Sequence, residues 1–290
     1  MPSLKEFRNK IGAVQSTRKV TSSMKLVAGI KLKKAEQKAA NSREYATELA
    51  LILSKIHRKF VDGSCELFSG RNMVQNEMLV VFASEKGLCG NFNYVIGKKT
   101  AEIISGIHQR GGTVHLICIG VKPFEFLKQK LIDGDRIELL ENFYLSEALL
   151  ENSNLLATRI MANFSSGRVD QVAIVYTRCL SAISRKVEVK SLIPIVCTPD
   201  SSNGDIIFEP STEEILQTIV PYNIAIQIYQ SALESVAGEQ GSRMTSMDNA
   251  TRNADELLSN LTISYNRTRQ YRITQELVEV VSGATTIAKG

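Results

Sequence analysis

Apolar positions recur in threes and fours at both ends of this chain and form short unbroken runs between them. Near the start, Leu4, Phe7, Ile11 and Val14 are three, four and three apart, which places them on one face of a helix. Ser3 and Glu6 have the spacing of a capping box at its head. The stripe weakens through "STRKVTSSMK" and resumes from Met24 through Val27, Ile30 and Ala35 to Leu49, Leu51, Leu53 and Ile56, with no proline between residues 3 and 60. At the far end, Met244, Met247, Thr251, Ala254, Leu258, Leu261 and Tyr265 alternate in threes and fours, the seam of a coiled coil. Those residues are mixed in size and polarity, so this is no simple leucine zipper. Ser211 and Glu214 repeat the capping-box spacing, and Pro221 is expected to kink or interrupt the first turns. The last stretch, "RQYRITQELVEVVSGA", carries Ile273, Leu277, Val280 and Ala284 at helical spacing.

The middle has a different period. "MLVVFA" (78–83), "TVHLICIG" (113–120) and "QVAIVYT" (171–177) are apolar runs of strand length. Helical stretches from Tyr94 to Gln109, Val121 to Lys130 and Ser146 to Asn163 lie between them. Strand–helix alternation predicts a parallel sheet covered by helices. "KVEVKSLIPIVC" (186–197) reads as an added strand that can lie antiparallel to the run ending near Thr177.

Helix length sets the predicted architecture. At 1.5 Å per residue, residues 3–60 would span roughly 85 Å and residues 211–284 roughly 110 Å. A compact chain of this size has a radius of gyration of about 19 Å. The economical arrangement folds the two ends together as an antiparallel pair standing out from the middle, with the C-terminal helix projecting past its partner. The predicted class is therefore α/β: a long antiparallel coiled coil of N- and C-terminal helices plus a central Rossmann-like α/β domain. The expected division is 1–60, 61–210 and 211–290.

Charge sharpens this picture. Residues 1–60 hold 14 Lys+Arg against 4 Asp+Glu, whereas the rest of the chain is mildly acidic and the whole is +5. Lys31, Lys33, Lys34 and Lys38 cluster on the basic helix, but few aromatics interleave, and a solvated face or an acidic protein partner fits better than nucleic acid. Five dispersed cysteines suit free thiols in a reducing compartment and not a disulfide framework or a zinc site. His57, His108 and His115 do not cluster, and His115 is expected inside the core. No run of 18 apolar residues occurs, and the first residues resemble neither a secretory signal nor a transit peptide, so the chain is expected to stay where it is made.

Catalytic chemistry is hard to find. "ASEKGLCGNFN" (83–93) follows the first strand, but Gly87 and Gly90 form neither a GxxxxGK[ST] nor a GxGxxG loop. A tight turn over a buried Cys89 fits better than a phosphate cradle or a nucleophile. Asp133, Asp135, Glu138 and Glu141 lack the rhythm of a calcium loop and are expected on a solvated loop and strand edge. Two other readings stay open: an enzyme binding phosphate at Gly87–Gly90, and a coiled-coil adaptor or nucleic-acid scaffold.

The terminal segments carry a resemblance. "MKLVAGIKLKKAE" (24–36), "GLCGNFN" (87–93) and "SRMTSMDNATRNADELLSNLTISYNRTRQYRITQELVEVVSGA" (242–284) resemble segments of the γ subunit of F-type ATP synthases, with Asn91 standing where a second glycine is more usual. The resemblance implies a non-catalytic rotor shaft without a cofactor, enclosed by α and β subunits and seated with ε on the ring of c subunits. It implies that proton-driven rotation changes the β sites in turn. Its partners are protein and not nucleic acid, and its membrane association is indirect, at the cytoplasmic face of a bacterial membrane. It also implies site roles. Ile273, Leu277 and Val280 would form a smooth bearing. Arg269, Gln270, Thr274 and Glu276 would meet β loops as a polar catch. Met24 and Lys25, with Arg243 across the pair, would lie where the shaft leaves the ring.

Overall fold

The chain's central sheet has the strand order β3-β2-β1-β4-β5. In the computed structural model, which describes residues 3–58, 65–141, 143–144, 149–179, 184–197 and 212–287, the elements run α1 (Leu4–His57), α2 (Glu66–Ser69), β1 (Asn76–Phe82), α3 (Phe92–Gln109), β2 (Thr113–Ile119), α4 (Phe124–Lys128), β3 (Arg136–Leu140), α5 (Leu149–Ser165), β4 (Gln171–Cys179), β5 (Arg185–Ile193) and α6 (Thr212–Ile287). The first four strands are mutually parallel, and β5 runs antiparallel to β4. The chain divides into two compact units: residues 28–243, and residues 1–27 with 244–290. Helices α1 and α6 contribute to both.

In the larger unit the sheet is buried on both faces, as a parallel sheet requires. Alternation within β1 sends Leu79 and Val81 to one core, with Ile96, Ile104 and Ile107 of α3 and Leu127 of α4. Met78, Val80 and Phe82 face the other core. That second core gathers Leu156 and Ile160 of α5, Leu53 and Ile56 of α1, and Val220, Ile224 and Ile228 of α6. Helix α6 passes through Pro221 without interruption. Proline removes one backbone donor, but Val220 and Ile224 on either side are fully buried and hold the segment helical.

Two polar clasps close this unit. Arg71 donates to Glu66 and Asp170, to the carbonyls of Phe164 and Val169, and lies 4.5 Å over the Phe164 ring. Burial pushes the Asp170 carboxyl up, but the N–H groups of Asn76 and Gln75 and the Arg71 guanidinium outweigh it and hold the pKa below the usual range. The second clasp corrects the expectation for the acidic segment. The Asp135 side chain is wholly buried, accepts the Val114 N–H at 2.8 Å and lies 2.8 Å from His108 Nε2. It fastens the start of β3 to β2 and α3 and is not a solvated loop residue. His115 differs too: it is half-buried and lines an open basin beside β3, the edge strand of the sheet among the described residues.

Candidate functional site

In the smaller unit α1 and α6 lie antiparallel along the seam expected from spacing. On α6, Met244, Met247, Thr251, Ala254, Leu258, Leu261 and Tyr265 are buried or half-buried, while the residues between them are mainly exposed. On α1 the matching positions are Leu4, Phe7, Ile11, Val14 and Thr21. The stretch where the apolar stripe weakens is filled by polar pairs. The Thr251 hydroxyl donates to Thr21 Oγ1 at 2.8 Å, Lys25 Nζ lies 2.6 Å from Asp248, Arg18 pairs with Asp255, and Arg8 donates to the Tyr265 hydroxyl at 3.2 Å. In each pair the two residue numbers add to 272 or 273, so one register runs the length of the unit. Polar groups at seam positions fix register where apolar ones would allow slippage. The Asp248 carboxyl is held below its ordinary pKa by the Lys25 hydrogen bond first, and also by Arg252.

That register places Ser3 opposite Gln270, and no described residue of α1 pairs with α6 beyond that point. Residues 271–284 are exposed on every side within the chain. At 1.5 Å per residue this is roughly 20 Å of uncovered helix. Its side chains are not those of a solvated helix. Ile273, Leu277 and Val280 form one stripe, and Tyr271 and Val278 lie on nearly the opposite face; all are about half exposed or more. A helix apolar on more than one side is built to be surrounded. Arg269 and Glu276 border the first stripe on one flank, and Gln270 and Thr274 lie on the other, with the Thr274 hydroxyl donating to the Gln270 carbonyl at 3.0 Å.

The carboxyl edge of the sheet, where doubly wound folds take their ligands, is filled by α6 itself. Ser235 donates to the Phe82 carbonyl, and a Cβ placed on Gly238 would sit 3.0 Å from Thr177 Cγ2 and 3.5 Å from Phe92. A side chain there would make Thr177 give by a few tenths of an ångström, so glycine suits this close approach. Arg243 is buried there, donating to the carbonyls of Lys86 and Gly87 at 3.2 and 3.1 Å and to Glu239 at 2.6 Å. Two carbonyls of the glycine turn are thus already held by a cation, the reverse of a loop that offers its N–H groups to phosphate. Leu88 takes a left-handed φ of 65° in this turn. Cys89 is buried against the Ser84 hydroxyl and the Asn93 amide, neither a base that would activate a thiol.

The family model described as ATP synthase matches residues 3–287. An ATP synthase gamma chain from Sinorhizobium fredii is 36% identical, over 98% of this chain and 99% of that one. This chain belongs to the ATP synthase gamma chain family. A second relative in the family, the gamma chain of Fuscovulum blasticum, is 37% identical over the same shares. Among solved structures, a chain of the Tetrahymena thermophila mitochondrial ATP synthase central stalk and c-ring superposes with a TM-score of 0.61 at 23% identity, covering 80% of this chain and 99% of that one. A chain of the Euglena gracilis mitochondrial ATP synthase OSCP/F1/c-ring structure gives 0.65 at 16% identity, covering 98% and 94%. At such identities these two establish the fold: long terminal helices and a central mixed sheet, as expected for a gamma chain.

The residues singled out for the gamma-chain site fall in three places. Arg269, Gln270, Ile273, Thr274, Glu276, Leu277 and Val280 share the uncovered end of α6. Met24 and Lys25 are half-buried in the pair, Lys25 on Asp248. Arg243 lies in the other compact unit with its guanidinium engaged by the turn after β1. Sequence reasoning missed Asp248, the partner that fixes Lys25, and the second stripe of Tyr271 and Val278, which their seven-residue spacing could have revealed.

Proposed function

We propose that this gamma chain is the central rotor shaft of an F-type ATP synthase, with no catalytic site of its own. Its α1–α6 pair is enclosed by α and β subunits, and it joins ε and the ring of c subunits on the membrane side. Proton-driven rotation of that ring turns the shaft and changes the β sites in sequence, and ATP hydrolysis turns it in reverse. Attachment to the membrane is peripheral, at the cytoplasmic face of a bacterial cell; no described helix is long and apolar enough to cross a bilayer.

The observation that carries this reading is the end of α6. Each large apolar side chain there stabilises an enclosing complex by about 1.5–3 kcal/mol when fully buried, and the apolar positions lie on opposing faces, which suits a sleeve better than a single flat dock. Ile273, Leu277 and Val280 act as the bearing. Arg269, Gln270, Thr274 and Glu276 act as the directional catch. Met24 and Lys25 lie where the shaft leaves the ring, and Arg243 acts there from its buried position by keeping the turn after β1 in place. The mechanism is differential contact. A ligand shifts an equilibrium only as far as its affinities for two states differ. A shaft with unlike sides gives identical β subunits unlike surroundings, and therefore unlike affinities for nucleotide.

The test is reconstitution. A tagged full chain expressed with α and β subunits should copurify with them and support ATP hydrolysis that turns the shaft. A chain ending at Gln270 should still fold but lose coupling. Purification of the full chain alone, or full coupling by the shortened chain, would overturn the reading.

A further inference from the structure

A basin of about 850 Å³ opens at the amino-terminal edge of the sheet, between β3 and the last turns of α5. It is lined by three arginines, Arg136, Arg159 and Arg168, with His115, Asn163 and Ser166. Glu138 is the one acid in its wall, and both of its oxygens are taken by the Arg159 guanidinium. Arg136 and Arg168 are exposed, and neither guanidinium has an ion-pair partner among the described residues. Ile137 and Ala162 are the only apolar residues among those that line it, and the polar side chains that surround them give the wall its charge.

We propose that this basin is a binding site for a diphosphate-bearing anion, with Arg136 and Arg168 as its phosphate forks and Asn163 and Ser166 as neutral donors. Guanidinium groups match phosphate oxygens two at a time, which a lysine cannot do. Two forks in one basin, neither with an ion-pair partner among the described residues, suit two linked phosphates better than one. Arg159, its charge spent on Glu138, shapes the wall and screens the carboxylate from the anion. His115 reports occupancy. Burial lowers its pKa first, Glu138 on β3 opposes that, and Arg136 on β3 and Arg159 on α5 add to it. An anion seated between the arginines reverses the balance and favours the imidazolium. This site is independent of the shaft reading, since it uses no residue of α1 or α6.

Calorimetry of the full chain with inorganic pyrophosphate at low fixed ionic strength tests it, against the R136Q/R168Q variant. Both changes are at exposed positions, and a thermal melt confirms the variant's fold. The expected result is saturable binding that weakens about tenfold or more in the variant, with a His115 NMR titration that moves to higher pH on adding pyrophosphate only in the unaltered chain. Phosphatidylcholine vesicles carrying cardiolipin form a second arm: arginine-dependent binding to vesicles with none to pyrophosphate assigns the same phosphate chemistry to a lipid headgroup. No arginine-dependent binding in either arm overturns the proposal. So does binding confined to polyglutamate, which would make the basin a dock for an acidic protein segment.

Discussion

Lys25 Nζ lies 2.6 Å from the Asp248 carboxylate, across the seam of the helix pair. Asp248 also receives Arg252 at 2.9 Å, so one carboxylate holds two cations from two helices. Its pKa is lowered in the fold, so its contribution is present above the ordinary carboxylate value and lost as pH falls through the depressed one. Asp248→Asn should lower the melting temperature at neutral pH and flatten the acid side of the stability profile. Thermal melts from neutral into acid solution check this; parallel profiles for the two proteins would contradict it.

Arg243 and Glu239 form a buried pair in which the arginine also holds two turn carbonyls. Breaking such a pair from one side costs about 3–5 kcal/mol. Arg243→Met should fall at the low end, about 3 kcal/mol, because Glu239 can take up a proton. Burial already raises the Glu239 pKa, against the pull of Arg243. A raised folded pKa gives stability that is fully present below the unfolded value and is lost as pH rises through the folded one. The variant should therefore lose most stability toward alkaline pH, as urea titrations at several pH values would show.

Gly238 sits where α6 crosses the carboxyl edge of the sheet. Gly238→Leu forces atoms into Thr177 and Phe92, for a loss of about 1–3 kcal/mol despite leucine's better helix propensity. Denaturant melts measure it. Unchanged stability would mean the crevice is looser than the contacts indicate.

The amount legible in the sequence differed by element. The seam could be read because a 3–4 alternation survives when individual positions turn polar: Thr21 and Thr251 keep the register their apolar neighbours set. Three of the four parallel strands could be read as unbroken apolar runs; β3 could not, because Arg136 and Glu138 interrupt its apolar residues. Other features depended on tertiary partners. Pro221 signals a break, and burial of Val220 and Ile224 overrides it. Asp135 reads as a loop acid, and only folding brings His108 and the Val114 N–H to it. The burial of Arg243 against the turn after β1 likewise depends on a tertiary partner that helical spacing does not name. The uncovered end of α6 was half legible: its first stripe follows helical spacing and its projection follows from helix lengths, but the second stripe of Tyr271 and Val278 went unread.

The basic face of α1 gives an electrostatic prediction. Lys31, Lys33 and Lys34 are exposed, as is usual for lysines that steer and do not bind tightly. Exposed pairs contribute about 0–1 kcal/mol each and are screened by salt. Replacing all three by glutamine should slow rotation-coupled turnover at low ionic strength and change little at high. Equal turnover at low salt would remove the steering role.

The central claim is that residues 271–284 are exposed in the chain only because other subunits surround them in the assembly. Hydrogen–deuterium exchange of this segment, measured by mass spectrometry in the isolated chain and again in the complex with α and β subunits, tests that claim directly. The account predicts fast exchange in the isolated chain and strong protection throughout 271–284 on assembly. Exchange equally fast in both states would contradict it.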